Sequence, residues 1–308
     1  MQVIEANSGI KIEPCVATVG FFDGVHIGHR FLMEELKKIA STQHLKSVVV
    51  TFDQHPRKVL NADFQPKLLT TLDERLFQIG STGVDACVVL NFTREMSLLS
   101  ARDFLKEVLH DQLNVQTLLV GHDHRFGHNR EDGLSEYIRY GEEFGIKVIE
   151  AQRFATEDMP HISSSVIRRA LLDGDVETAN RLLTYEYSFE GKVVNGFKVG
   201  HKIGFPTANL IPLSEEKLIP GVGVYAVRAR CNEKRFKAMM DIGYRPTFGD
   251  DNKLTIEVHI IDFDEDIYQK NIRIDFIRRL RDEIKFDTVE ELIKQLYRDR
   301  EEVLAMNF

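Results

Sequence analysis

Through about residue 183 the chain alternates short, continuous apolar runs with longer segments of helical period. The runs CVATVG, KSVVVTF, DACVVLNF, QTLLVGHD and IKVIEA are rich in Val, Ile and Leu and show little polar alternation. That is the pattern of strands buried on both faces. Between them SARDFLKEVLHDQL and GLSEYIRYGEEFG read as helices, the first with Ser100 as its N-cap. Strand and helix in alternation predict a parallel, Rossmann-like sheet covered by helices. SSSVIRRALLDGDVETANRLL then predicts a helical pair that closes this half.

After residue 186 the rhythm changes. YSFEGKVVNG, VGVYAVRARC, KRFKAMMDIG, LTIEVHIIDF and NIRIDFIRRL are strand-like, closely spaced and separated by turn residues. TIEVHIIDF and NIRIDFI alternate polar with apolar positions, the mark of half-buried antiparallel strands. A small antiparallel barrel or sandwich is expected. DTVEELIKQLYRDREEVLA has helical period with acidic residues early, so a terminal helix should pack on that barrel. The expected domains are 1–185 and 186–308.

The 308 residues are enough for two domains, each with its own core. A formal charge of −8 counts against a broad nucleic-acid-binding surface and leaves room for a local basic pocket. Cys15, Cys87 and Cys231 have no metal-ligand spacing, and a disulfide framework is not expected. The first residues lack the apolar core of a signal peptide, and no apolar run reaches membrane-spanning length. These features predict a reduced cytoplasmic protein, monomeric or weakly homo-oligomeric, with neither membrane nor nucleic acid as a partner.

Chemistry is densest in TVGFFDGVHIGH, residues 18–29. The stretch fits a strand that ends in a glycine-rich turn and opens a helix. Gly20, Gly24 and Gly28 would let a phosphate approach the backbone, and the helix N-terminus would offer unpaired N–H groups. His26 and His29, three apart in the first helical turn, could donate hydrogen bonds where phosphate charge builds. Spacing alone fits a turn with two surface histidines equally well.

The stretch resembles the H-x-G-H signature of the nucleotidyltransferases, in the form found in prokaryotic FAD synthetases. VGHDHRFGHNREDG resembles the G-x-D-F-R-F-G loop of that family, and ISSSVIRRAL resembles its I-S-S-T-x-I-R segment. The resemblance implies catalytic roles for His26 and His29. It implies ATP contacts for Gly20, Phe21, Asp23, Gly24, Gly28, Ser163, Ser164 and Arg168, and flavin contacts for Asp123, Arg125 and Phe126. His124 stands where Phe is usual, and Ser165 where Thr is usual. Read without the family, Ser163 and Ser164 cap a helix and Arg168 lies on a solvated face. His122, His124 and His128 also invite a zinc reading, although the loop fits the flavin family without metal.

The second half carries GKVVNGFKVGHKIGFPTANL, residues 191–210. Gly191, Gly196 and Gly200 allow close backbone approach, Pro206 stiffens the turn, and Thr207 and Asn209 offer the hard oxygen ligands Mg²⁺ accepts. The residues alone also fit a glycine-rich hairpin, and no P-loop occurs in the chain. The ordered stretch resembles the riboflavin kinase signature, and GVYAV, IGYRPTFG, TIEVHIIDFDEDIY and LRDEIKFDTVEELIKQL continue the likeness. It implies ATP contacts at Gly191, Gly196, Gly200, Pro206, Thr207 and Asn209, Mg²⁺ at Thr207 and Asn209, and Glu257 as catalytic base. His201 replaces the usual Arg, and Asp241 stands where Asn is frequent.

Together the motifs imply the bifunctional riboflavin kinase/FMN adenylyltransferase family, with riboflavin, FMN, FAD and ATP as substrates and products and Mg²⁺ as cofactor. Two other readings stay open at this point. In one the barrel is an inactive flavin-binding module, with His201 as its support. In the other the protein is a non-enzymatic metal- or nucleic-acid-binding protein built around the histidine-rich loop.

Overall fold

Six strands of the first half are β1 (Gln2–Glu5), β2 (Cys15–Val19), β3 (Lys46–Phe52), β4 (Ala86–Leu90), β5 (Val115–Val120) and β6 (Lys147–Glu150). They form one sheet in the order β1-β4-β3-β2-β5-β6, with every pairing parallel. They are seen in a computed structural model that describes the chain except for residues 6–11, 62, 66, 123–124, 129–130, 155–161, 196–199, 201–202 and 246–252. Strand β1 was not among the apolar runs, because Ile4 alone of its four residues is buried at this sheet edge.

Each strand sends alternate residues to opposite faces, and both faces are covered. On one face Val16, Val49, Cys87 and Leu119 pack with Met33, Leu36 and Ala40 of helix α1 (Ile27–Gln43). On the other, Ala17, Val50, Val88 and Leu118 pack with Phe104, Leu105, Val108 and Tyr137. Phe104–Gln112 is wound as a π-helix that continues a short turn capped by Ser100, whose hydroxyl accepts from the Asp103 N–H at 3.1 Å. From β2 the chain moves outward through β3 and β4, then crosses back to lay β5 on the other side of β2. That reversal leaves a crevice at the carboxyl ends of β2 and β5, the place where open α/β sheets bind ligands.

Contacts divide the chain into two units, Met1–Ser164 and Ser165–Phe308. In the second unit β7 (Ser188–Val194), β8 (Ala208–Pro212), β9 (Gly223–Cys231), β10 (Lys234–Arg245), β11 (Lys253–Ile260) and β12 (Asn271–Arg281) close into a barrel. The order is β10-β11-β8-β7-β12-β9, with β9 antiparallel to β10 to complete the ring. Strand β8 starts within the P-T-A-N segment, at Ala208.

The helical pair falls in the second unit from Ser165 on. Helix Val176–Leu183 buries Val176, Ala179, Leu182 and Leu183 and packs against β12. The Asn180 amide donates to the Phe276 carbonyl at 2.8 Å, and the Gly221 N–H donates to the Leu171 carbonyl at 2.8 Å. The C-terminal helix Val289–Ala305 begins at Thr288, whose hydroxyl accepts from the Glu291 N–H. Asp299 ties it to β12 through Arg281, with Nε and Nη2 at 3.0 and 2.8 Å from one carboxylate oxygen.

Candidate active sites

Strand β2 runs into a turn held under strain. Gly20 donates to the Val50 carbonyl at 3.0 Å, and a Cβ placed there would lie 2.7 Å from the Phe22 ring. Beyond it Phe22 and Val25 adopt φ of 54° and 39°, the left-handed region a β-branched residue avoids. Such residues cost about 1–3 kcal/mol each and persist where the surroundings over-determine them. Here Phe22 and Val25 are buried, and Asp23 acts as a clamp. Its carboxylate accepts from the N–H groups of Leu69 and Thr70, each at 3.0 Å, and from the Thr70 hydroxyl at 3.1 Å. Gly24 donates to the same hydroxyl oxygen, and the Ser164 hydroxyl donates to the Asp23 carbonyl at 2.9 Å.

Beside the turn lies a buried cation. The Arg75 guanidinium sits 4.1 Å from the Phe21 ring centre and donates to the Phe52 carbonyl. Burial pushes its pKa down to about 10 against the pull of Asp23, Cys87 and Asp53, so it remains charged at neutral pH.

His26 is the N-cap of α1, and its Nδ1 accepts from the His29 N–H at 3.4 Å. An accepting Nδ1 puts the proton of the neutral ring on Nε2. The two imidazoles stack with centroids 3.6 Å apart and planes 18° apart, and Phe22 meets His29 edge-on. Gly20, Phe21, His26, Gly28, His29 and Ser163 line a cleft of about 470 Å³ at the carboxyl ends of β2 and β5. Ring N–H donors at a helix N-terminus suit an anionic group.

Not every expected residue faces this cleft. Asp23, Gly24 and Ser164 build the turn behind it rather than its lining. Arg125 is exposed, and half-buried Phe126 stacks on Tyr137 at 4.2 Å against the core beside the π-helix. Arg168 lies in helix Ser164–Leu172, in the second unit. Asp123 and His124 fall outside the described residues. Arg153 and Phe154, which gave no signal in sequence, also line the cleft, as does His122, which the sequence offered only to zinc. The signal available was their place just past β5 and β6. His122 pairs with Glu150 at 2.9 Å, and His128 bonds the Ser97 carbonyl at 3.1 Å. Among the described residues no three His, Cys, Asp or Glu side chains gather as a metal site.

In the barrel, β8 lies between β7 and β11, with Asn209 opposite Val194 on one side and Glu257 on the other. The Thr207 hydroxyl donates to Glu257 Oε2 at 3.0 Å. The turn before it is closed on Gly200, whose carbonyl accepts from Phe205 at 2.9 Å and from Ile203 at 3.2 Å. A Cβ on Gly200 would lie 2.1 Å from the Phe205 carbonyl oxygen, and one on Gly191 3.3 Å from that of Ile211. Pro206 and Thr207 line a cleft of about 620 Å³ with an apolar floor that includes Val193, Val258 and Ile260. Asp264, Glu265 and Asp266 lie along it, missed in the sequence. Asp241 sits directly across from Glu257 in the β10–β11 register. Gly196 and His201 are outside the described residues.

His259, two residues beyond Glu257, bonds the Pro206 carbonyl through Nδ1 at 2.8 Å. Burial lowers its pKa, aided by nearby Arg300 and opposed by the Pro206 hydrogen bond and Asp262.

Comparison with known proteins matches each unit to a family. The FAD synthetase profile covers residues 10–166, and the riboflavin kinase profile covers residues 183–307. A bifunctional riboflavin kinase/FMN adenylyltransferase of Listeria monocytogenes is 40% identical over 94% of this chain and 91% of its own length. That of Bacillus subtilis is 36% identical over 94% and 91%. A crystal structure from Streptococcus pneumoniae, described as a macrolide-efflux protein, superposes with a TM-score of 0.89 at 31% identity over the whole of both chains. Among the described residues no helix is long and apolar enough to cross a membrane. With both profiles matched in order and full-length relatives at this identity, the chain belongs to the bifunctional riboflavin kinase/FMN adenylyltransferase family.

Proposed function

We propose that this chain makes FMN from riboflavin in its barrel and FAD from FMN in its sheet unit, using ATP for both steps. The observation that carries the reading is that each family profile falls over a site with phosphate-handling geometry of its own. The catalytic domains are taken as 1–185 and 186–308, in a cytoplasmic enzyme acting on small molecules.

In the kinase step the riboflavin 5′-hydroxyl oxygen attacks the γ-phosphorus, its proton passes to Glu257, and the bond from that phosphorus to the ADP oxygen breaks. Thr207 holds the Glu257 carboxylate by its hydroxyl proton, which leaves the hydroxyl lone pairs for a cation. Thr207 and Asn209 form an oxygen donor set that fits Mg²⁺, which when bound neutralises phosphate charge. Gly191, Gly196, Gly200 and Pro206 shape the backbone that meets ATP.

In the second step an FMN phosphate oxygen attacks the α-phosphorus of ATP and pyrophosphate leaves. The nucleophile is already an anion, so orientation and charge stabilisation suffice. His26, through Nε2–H, and His29 donate to the phosphate oxygens, while Gly20, Phe21, Gly28 and Ser163 shape the cleft. Asp23, Gly24 and Ser164 hold the turn that presents them. By the family motifs Arg168 is assigned to the triphosphate, and Asp123, Arg125 and Phe126 to the flavin.

The test is chromatographic separation of flavins after incubation with riboflavin, ATP and Mg²⁺. FMN should appear first and FAD follow. Riboflavin left intact while added FMN becomes FAD would remove the kinase half of the reading.

A further inference from the structure

Thr207 and Glu257 are useful to a kinase only if the turn that carries Thr207 is held still, and the barrel contains a second grip on that turn. Strand β11 pairs Glu257 with Asn209 and Val258 with Ala208, so the antiparallel register brings His259 alongside Thr207. Glu257 and His259, two apart, point to the same face of the sheet. Glu257 takes the hydroxyl of Thr207, and His259 takes the carbonyl one residue earlier, with Nδ1 2.8 Å from the Pro206 oxygen. A carbonyl only accepts, so Nδ1 must carry the hydrogen.

The imidazole is itself held in place. Phe205 meets it edge-on with ring centres 5.2 Å apart, and Tyr297 of the C-terminal helix meets Phe205 at 5.0 Å. Phe205 is buried against Val303 and Met239. Three successive residues of the turn are thus gripped: the Phe205 ring, the Pro206 carbonyl and the Thr207 hydroxyl. Pro206 has one soft backbone dihedral, because its ring locks φ. Its carbonyl is therefore the handle that sets the peptide plane leading into Thr207.

We propose that His259, as the Nδ1–H tautomer, is a positioning residue of the kinase site that fixes the Pro206–Thr207 peptide and so aims the Thr207 hydroxyl. The proposal rests on the kinase reading of the barrel.

The test uses three variants of the full chain. His259→Asn keeps a donor at the δ position, His259→Gln moves it to the ε position, and His259→Phe keeps the ring and removes the donor. FMN formation is measured with ATP and riboflavin varied separately; the melting temperature of each preparation reports folding of the barrel, and FAD formation from FMN reports that of the sheet unit. His259→Phe and His259→Gln should lose about 10-fold to 100-fold in kcat with Mg–ATP, the scale of a small misplacement, while His259→Asn stays close to the parent. Nitrogen-15 NMR of the parent imidazole should show Nδ1–H.

Loss that tracks melting temperature alike in all three variants would overturn the proposal. So would a His259→Phe enzyme of full activity, or an Nε2–H tautomer. A parent protein that makes no FMN would overturn the kinase reading itself, a result distinct from silent variants of an active kinase.

Discussion

The Thr207 hydroxyl and the Glu257 carboxylate meet at 3.0 Å, joining the turn that leads into β8 to the middle of β11. This contact depends on a tight approach seven residues upstream. Gly200 accepts two backbone hydrogen bonds from its own turn, and its missing side chain leaves room for the Phe205 carbonyl. Gly200→Ala would put a methyl 2.1 Å from that oxygen. The turn must then move, and Thr207 moves with it. FMN formation should fall by about 10-fold or more, with FAD formation from supplied FMN unchanged. Parallel assays of the two half-reactions check this.

A second prediction concerns the attachment of the C-terminal helix. Asp299 is 3% exposed and Arg281 16%, so their pair is shielded from water. Gln295 adds a 2.7 Å bond to the same carboxylate. Removing one partner of a shielded pair strands the other, at a cost of about 3–5 kcal/mol. Asp299→Ala should lower the urea midpoint at which FMN-forming activity is lost. Replacing both partners by apolar residues should cost less.

A third prediction concerns alkaline pH. Burial pushes the thiols of Cys15 and Cys87 up to about 12, with Arg75 opposing the shift at Cys87. Unfolded, these thiols ionise near pH 9. Between these values the unfolded chain releases protons that the folded chain keeps, so stability should fall as pH rises through that window. In the folded protein below pH 9, both thiols should resist alkylation by iodoacetamide and become reactive on denaturation. Rapid modification of either under native conditions would contradict their placement in the sheet.

Much of the fold was legible because its elements are long and their periods clean. The unbroken apolar runs of β2 to β5 announced a sheet buried on both faces, and the alternation in β11 and β12 announced half-buried antiparallel strands. Strand β1 escaped notice because a short edge strand with one buried residue carries no period. Strand β8 was masked by its own chemistry: P-T-A-N reads as a ligand loop, yet Ala208 begins a strand. The helical pair read as the end of the first half because sequence order cannot say which surface a helix covers. Its second helix, Val176–Leu183, meets β12 with its apolar face.

For the sites, the motif residues around the cleft lined by His26 and His29 were legible, but which of them face it was not. Asp23 looks like a ligand in sequence, while its carboxylate is engaged by Leu69 and Thr70, forty-six and forty-seven residues away. His259 gave no signal at all, since a histidine in a strand has no period to betray a partner fifty-three residues upstream.

The sheet unit and the barrel should each carry one of the two reactions on its own, and a pair of variants separates them. His29→Ala and Glu257→Gln are each given riboflavin with ATP, and then FMN with ATP, and the flavins are separated. His29→Ala should form FMN normally and lose about 10²–10³-fold in FAD formation, the scale of one lost donor to developing charge. Glu257→Gln should fail on riboflavin and convert supplied FMN to FAD at the parent rate. If either folded variant loses both reactions together, the division into two sites is wrong.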